Sequence, residues 1–126
     1  MRHPASVLLL LVLFSGCATT GARPGSAPRH AETGMASYLS SAHHGHLTAS
    51  GEAYDERRLT AAHRTLAFGT RVRVTNLANG RSVIVTITDR GPFRRGRIID
   101  VSRRAATELC FLAQGTTRVR VTVLPG

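Results

Sequence analysis

Apolar and polar residues alternate most cleanly in three stretches of this chain. Residues 70–77 read TRVRVTNL, Val alternating with Arg or Thr at the period of two that marks a half-buried β-strand. Asn79-Gly80 follows, a dipeptide suited to the left-handed backbone of a two-residue hairpin turn. Residues 82–88, SVIVTIT, form the expected return strand, and their more continuous apolar run places it deeper. Residues 118–124, RVRVTVL, alternate again and predict a late strand, with a shorter one at residues 97–101. Ser102 is a suitable cap for a helix over residues 103–112, because its hydroxyl can accept from the first free backbone N–H groups. Gly115 is the expected signal just past its end. Repeats at solenoid periods are absent from the sequence. Short strands with one or two short helices predict a mainly β domain, closed into a small barrel so that no strand edge stays open.

The first residues follow a different pattern. A basic start, eight apolar residues from Val7 to Phe14 and the small residues Ser15-Gly16 describe a secretory signal peptide over residues 1–16. Eight residues are too few for a membrane-spanning helix, which needs about 20. Phe14-Ser15-Gly16-Cys17 resembles a bacterial lipobox, which makes Cys17 the expected site of lipidation. Multiple acyl chains anchor a protein stably where one does not. Ala18, where an Asp would resemble an inner-membrane retention signal, favours the periplasmic, inner leaflet of the outer membrane. Residues 17–33, rich in Ala, Gly, Pro, Ser and Thr, read as a flexible tether, leaving residues 34–126 for the folded domain.

Charge and cysteine content narrow the function. The net charge is +10, and all 17 basic residues are Arg. No aromatic-rich nucleic-acid motif accompanies them, so nucleic acid is not the expected partner. Anionic cell-wall polymers and lipid headgroups are the partners a secreted basic protein meets. Cys110 has no second cysteine in the domain and reads as a small buried hydrophobe. His43-His44-Gly45-His46 matches no strong zinc spacing, and neither a metal nor another cofactor is expected.

A series of short motifs carries a resemblance. Gly34-Met35-Ala36-Ser37-Tyr38 is followed by His44-Gly45, then Thr48-Ala49-Ser50-Gly51-Glu52, and then Ala61-Ala62-His63-Arg64. Asn79-Gly80-Arg81-Ser82, Asp89-Arg90-Gly91-Pro92-Phe93 and Ile99-Asp100-Val101-Ser102 complete it. In order and spacing the chain closely resembles the rare lipoprotein A family of six-stranded double-psi β-barrels. That resemblance implies an endolytic lytic transglycosylase acting on peptidoglycan glycan strands, preferably ones stripped of stem peptides. The sequence departs from the family in places. Tyr38-Leu39 stands where an aromatic pair is common, His46 where Arg is common, and Cys110 where Gly is usual. The SPOR module found in many members does not occur in these residues.

The reaction needs a proton for the leaving oxygen and stabilisation of a developing oxocarbenium ion. The C6 hydroxyl of the sugar itself attacks the anomeric carbon, so a high effective molarity replaces an activated water. The expected domain offers six acids: Glu52, Asp55, Glu56, Asp89, Asp100 and Glu108. Local sequence makes Asp89 a turn-capping Asp, Glu52 a solvated loop charge and His63 a hydrogen-bonded core residue. The resemblance makes all three catalytic positions. Asp89 is then the general acid and Glu52 the group that takes the C6 hydroxyl proton or steadies positive charge, with the two roles exchangeable. His63 tunes a carboxylate or touches substrate. Asp100 is the reserve acid, and Arg64, Arg90 and Tyr38 are candidate sugar contacts. Two other readings stay open. One is a non-catalytic, expansin-like wall-binding lipoprotein. The other is a hydrolase, whose carboxyls would stand about 6.5–9.5 Å apart if it inverts. A protein partner is not legible in the sequence.

Overall fold

The computed structural model describes residues 30–126. Six strands, β1 (Ala31–Tyr38), β2 (Thr60–His63), β3 (Arg71–Asn76), β4 (Ser82–Asp89), β5 (Arg97–Val101) and β6 (Thr117–Val123), close into a barrel in the order β1-β5-β2-β4-β3-β6. One helix, α1 (Arg103–Glu108), and a 3-10 turn at Ser41–His43 complete the regular structure among the described residues. The mainly β barrel read from the sequence is the one observed.

The alternation of β3, β4 and β6 forms the core. Val72, Val74, Val85, Ile87, Val119 and Val121 point inward and are almost wholly buried, joined by Ile99 and Val101 of β5. Burying each such side chain contributes about 1.5–3 kcal/mol. β3 pairs antiparallel with both β4 and β6 in unbroken register. Closure leaves no unpaired strand edge.

The other half of the barrel is less regular. β1 runs parallel to β5, and β2 runs parallel to β4. Both pairs slip by one residue. Met35 faces Arg97 and Ala36 faces Ile99, so Ile98 is extra. Its side chain fills the space over Gly34, where a Cβ would lie 2.7 Å from Ile98 Cγ2. In the second pair Ala61 faces Ile87 and Ala62 faces Asp89, so Thr88 is extra. Such bulges re-aim the side chains that follow them.

Three expectations need correction. β1 begins at Ala31, so residues 31–33 belong to the barrel and not to the tether; Glu32 pairs with Val121 and Thr33 with Arg120. The helix stops at Glu108 instead of residue 112. Cys110 adopts φ 59°, and the N–H groups of Cys110 and Phe111 bond back to the carbonyls of Thr107 and Ala106, both at 3.1 Å. That is a Schellman stop, with Leu109 and Phe111 buried on either side of it. Cys110 itself is exposed rather than buried, because the left-handed residue of such a stop turns its side chain outward. Residues 1–29, with the leader, Cys17 and most of the tether, lie outside the described residues.

Candidate active site

The slipped registers set up the site. Directly paired residues on neighbouring strands share a face. Ser37, Asp100, Ala62 and Asp89 form one such row across β1, β5, β2 and β4. Ala36, Ile99 and Ala61 beside them point into the core, so the row lies on the outer side of the barrel. Without the extra residue Thr88, Asp89 would share the inward phase of Ile87. Ala62 separates the two aspartates by two strand spacings, about 10 Å, with only a methyl group between them. Ser37 Oγ donates to Asp100 Oδ1.

Asp89 also anchors the loop that carries Glu52. Ala49 N–H donates to Asp89 Oδ1 at 2.9 Å, and Arg90 N–H to the same oxygen at 2.8 Å. Among the described residues Oδ2 meets no protein donor. The carbonyl of the bulge residue Thr88 accepts from Ser50 N–H at 3.2 Å. The loop turns back through Gly51, at φ 88°, and Thr48 N–H closes the turn on the Glu52 carbonyl at 2.8 Å. Glu52 is therefore exposed on the same side of the barrel as Asp89, tied to it through three residues. It borders a hollow of about 260 Å³ with Ser50, Arg58, Phe68 and Thr88. Arg58 and Phe68 were not singled out from the sequence. A loop Arg and a single Phe carry no motif.

His63 takes a different position. It shares the inward phase of Ala61 and Ile99, and it is 4 % exposed. Its Nδ1 accepts from the N–H groups of Thr65 and Leu66, each at 3.1 Å. That arrangement leaves the proton on Nε2, which donates to Glu32 Oε1. Both ring nitrogens are thus occupied, and the carboxylate beside His63 is Glu32, not Glu52 or Asp89. Glu32 escaped the sequence reading because it lay in the expected tether.

The reserve positions are mostly engaged by the protein. Arg64 Nε donates to the Pro92 carbonyl at 2.6 Å, and its Nη2 to the carbonyls of Arg94 and Arg97 at 2.9 and 3.0 Å, clamping the loop between β4 and β5. Arg90 Nη1 donates to the carbonyls of Leu66 and His63 at 2.7 and 3.3 Å, while its guanidinium carbon lies 4.0 Å above the Phe68 ring. The Tyr38 hydroxyl donates to the Leu112 carbonyl at 3.0 Å, and its ring stands edge-on to Phe111. Phe93, just past the Asp89 turn, is by contrast 79 % exposed. His44 Nδ1 accepts from Glu56 N–H at 3.2 Å. Among the described residues no cluster of three metal-ligating side chains forms.

Tyr54 supports the Glu52 loop from behind. Its hydroxyl donates to the Leu39 carbonyl and accepts from Arg103 N–H, both at 3.1 Å. Burial holds its phenol above the ordinary value, against the Arg103 N–H bond. Asp55, in the same loop, is held below the ordinary carboxylate range chiefly by Arg57 N–H, which donates to it at 2.9 Å.

Asp89 thus holds the loop of Glu52, and Glu52 borders the hollow. The family described as "Lytic transglycolase" matches residues 31–121. The chain belongs to this family, the rare lipoprotein A group of double-psi β-barrels. The endolytic peptidoglycan transglycosylase RlpA of Neisseria meningitidis is 51 % identical over 96 residues, which are 75 % of this chain and 40 % of that protein. The protein of the same name from Vibrio cholerae is 48 % identical over 93 residues, 74 % of this chain and 35 % of that one. The family match starts at Ala31, so it takes in Glu32. The chain spans about two-fifths or less of the length of these relatives. Among solved structures, the Streptomyces papain inhibitor superposes with a TM-score of 0.63 at 22 % identity, covering 78 % of this chain and 97 % of that one. The Clavibacter michiganensis expansin gives 0.60 at 19 %, covering 76 % of this chain and 51 % of that one. These two establish the fold family alone.

Proposed function

We propose that the barrel is an endolytic lytic transglycosylase that cuts the MurNAc–GlcNAc strands of peptidoglycan and leaves 1,6-anhydro-muramyl ends. The observation that carries this reading is the bond from the Glu52 loop to Asp89 on the outer face, in a chain about half identical to endolytic peptidoglycan transglycosylases over the barrel. In the proposed step the Asp89 carboxyl protonates the glycosidic oxygen as the bond to the anomeric carbon breaks. Glu52 takes the proton of the C6 hydroxyl as that oxygen bonds to the same carbon, and the two carboxyls can exchange these roles. Water is not consumed, so a loop that shields the anomeric carbon from solvent favours the cyclic product. Asp100, held by Ser37, is the reserve acid. The exposed Phe93 ring is suited to stacking on a sugar.

The same reading puts the protein in the periplasm, lipid-anchored through Cys17 to the inner leaflet of the outer membrane. What supports the anchor is the lipobox-like Phe14-Ser15-Gly16-Cys17.

The test is to incubate the full chain with peptide-free glycan strands and weigh the new ends. Anhydro ends that disappear in Asp89→Asn and Glu52→Gln are the expected result. Reducing ends would overturn the transglycosylase in favour of a hydrolase. Binding without new ends would leave the expansin-like alternative.

A further inference from the structure

The outer surface of β3 and β6 carries its own pattern. In the ring β1-β5-β2-β4-β3-β6, strands β3 and β6 stand opposite β5 and β2. Their inner residues are the core valines. Their outer residues include Arg71 and Arg73 on β3 and Arg118 and Arg120 on β6, all exposed. The register staggers them. Thr122 faces Arg73, and Arg120 faces Thr75, so the four guanidinium groups form a diagonal stripe instead of one knot. Successive outward residues of a strand are about 7 Å apart, so the stripe runs for roughly 20 Å. None of the chain's seven acidic residues lies on β3 or β6. Among the described residues none of the four guanidinium groups forms an ion pair or a side-chain hydrogen bond.

We infer that this arginine stripe is a docking face for an anionic phospholipid surface. Charge complementarity is the first argument. An extended, acid-free row of cations meets many phosphates of a planar surface at once, while guanidinium suits phosphate through paired N–H donors. Position is the second. Arg71 pairs with Thr86 at the edge of the Glu52 hollow, and from there the stripe runs away through Arg73 and Arg120 to Arg118, so most of it lies clear of a glycan strand over Asp89 and Glu52. Position also concerns the chain before β1. Val123 N–H of β6 bonds to the His30 carbonyl at 3.1 Å, and Leu124 N–H bonds to the Arg71 carbonyl at 3.0 Å. His30, the first described residue, therefore lies at the same end of the barrel as Arg71. This docking does not depend on the catalytic proposal, and its test reads binding only.

The full chain carrying Cys17→Ser, in which no acyl chain can be attached, is sedimented with vesicles of phosphatidylglycerol and phosphatidylcholine and with vesicles of phosphatidylcholine alone. Binding to the anionic vesicles only, lost at high salt as the Debye length falls from about 10 Å toward 3 Å, is the expected result. The pure phosphatidylcholine vesicles report any contribution from the apolar leader. Each Arg near an anionic surface strengthens binding about fivefold. Replacing all four with Gln should therefore weaken it by roughly two to three orders of magnitude. A control that removes equal charge through Gln at Arg57, Arg94, Arg95 and Arg103 should weaken it far less. Thermal melts confirm folding. The paired variants R71Q/R73Q and R118Q/R120Q give intermediate losses should the fourfold variant not fold. Equal losses in the stripe variant and the control would reduce the effect to net charge and overturn the docking face. Absence of vesicle binding would overturn it too, as would stripe-dependent binding to isolated sacculi in place of vesicles.

Discussion

The two halves of this barrel are built on different rules. On the β3–β6 side, register is unbroken, valines point in and arginines point out. On the β1-β5-β2-β4 side, two parallel pairs each slip by one residue, and polar side chains cluster where they slip. The regular half supplies hydrophobic burial and tolerates change on its outer surface. The slipped half gives up some packing regularity and gains aimed carboxyls. Asp89 shows the trade most directly. The extra residue Thr88 turns it outward, and the same residue's carbonyl holds the loop of Glu52.

The largest effects should separate the halves. Asp89→Asn keeps an oxygen for the N–H groups of Ala49 and Arg90, so the fold should survive while cleavage falls roughly 10²–10⁴-fold. Val121→Ala, on β6 in the regular half, should cost about 2–3 kcal/mol of stability through lost burial and a cavity, with turnover per folded molecule unchanged. Chemical denaturation beside glycan-end counting checks both. A stable, fully active Asp89→Asn would remove the division of labour between the halves.

That division also explains what could be read in advance. β3, β4, β5 and β6 are legible because a period of two survives wherever one face is buried. β2 is not. Thr60–His63 is four residues long with two alanines, and its pairing slips, so neither length nor alternation marks it. Its Ala62 is small because it lies between two aspartates, a reason visible only in three dimensions. Glu52 and Asp89 were singled out through motif resemblance, and their local sequence alone favoured a solvated and a turn-capping role. Glu32 was lost to composition. The Ala-, Gly- and Pro-rich run before it has no sharp end, and only pairing with β6 reveals where folded chain begins.

Glu32 and His63 offer a finer test of the slipped half. Their bond spans β5, joining the start of β1 to the end of β2, and the His63 carbonyl in turn receives Arg90 next to Asp89. Glu32→Ala removes the partner of a buried imidazole N–H and should cost about 1–3 kcal/mol. Glu32→Gln retains an acceptor oxygen and should recover most of it. Urea unfolding of the pair of variants measures the difference. Equal stability of Glu32→Ala and the parent would make His63 independent of β1.

Tyr54→Phe is expected to be milder. It removes one hydrogen bond to Leu39 and one from Arg103, about 1 kcal/mol in all. The phenol has a raised folded-state pKa, so its contribution is complete below the ordinary value of 10.0 and fades as pH climbs through the raised one. Melting curves from neutral to alkaline pH should therefore converge for the parent and Tyr54→Phe. Curves that diverge instead would mean the buried phenol is not the linked group.

The smallest effect should be a gain, and it lies outside both halves. Cys110 occupies the left-handed position of the helix stop, with φ 59°, where the absence of a Cβ is favourable. Cys110→Gly relieves that strain but also loosens the unfolded chain, so the two terms partly cancel. Relief should win by about 0.5–1 kcal/mol, because both bonds of the Schellman stop are already formed at 3.1 Å and Gly need only keep them. For a domain of this size that is a rise in Tm of roughly 2–8 °C. The exposed thiol makes no hydrogen bond, so nothing is lost with it. A fall in Tm would mean that the left-handed turn is held by the side chain of residue 110 and not by its backbone.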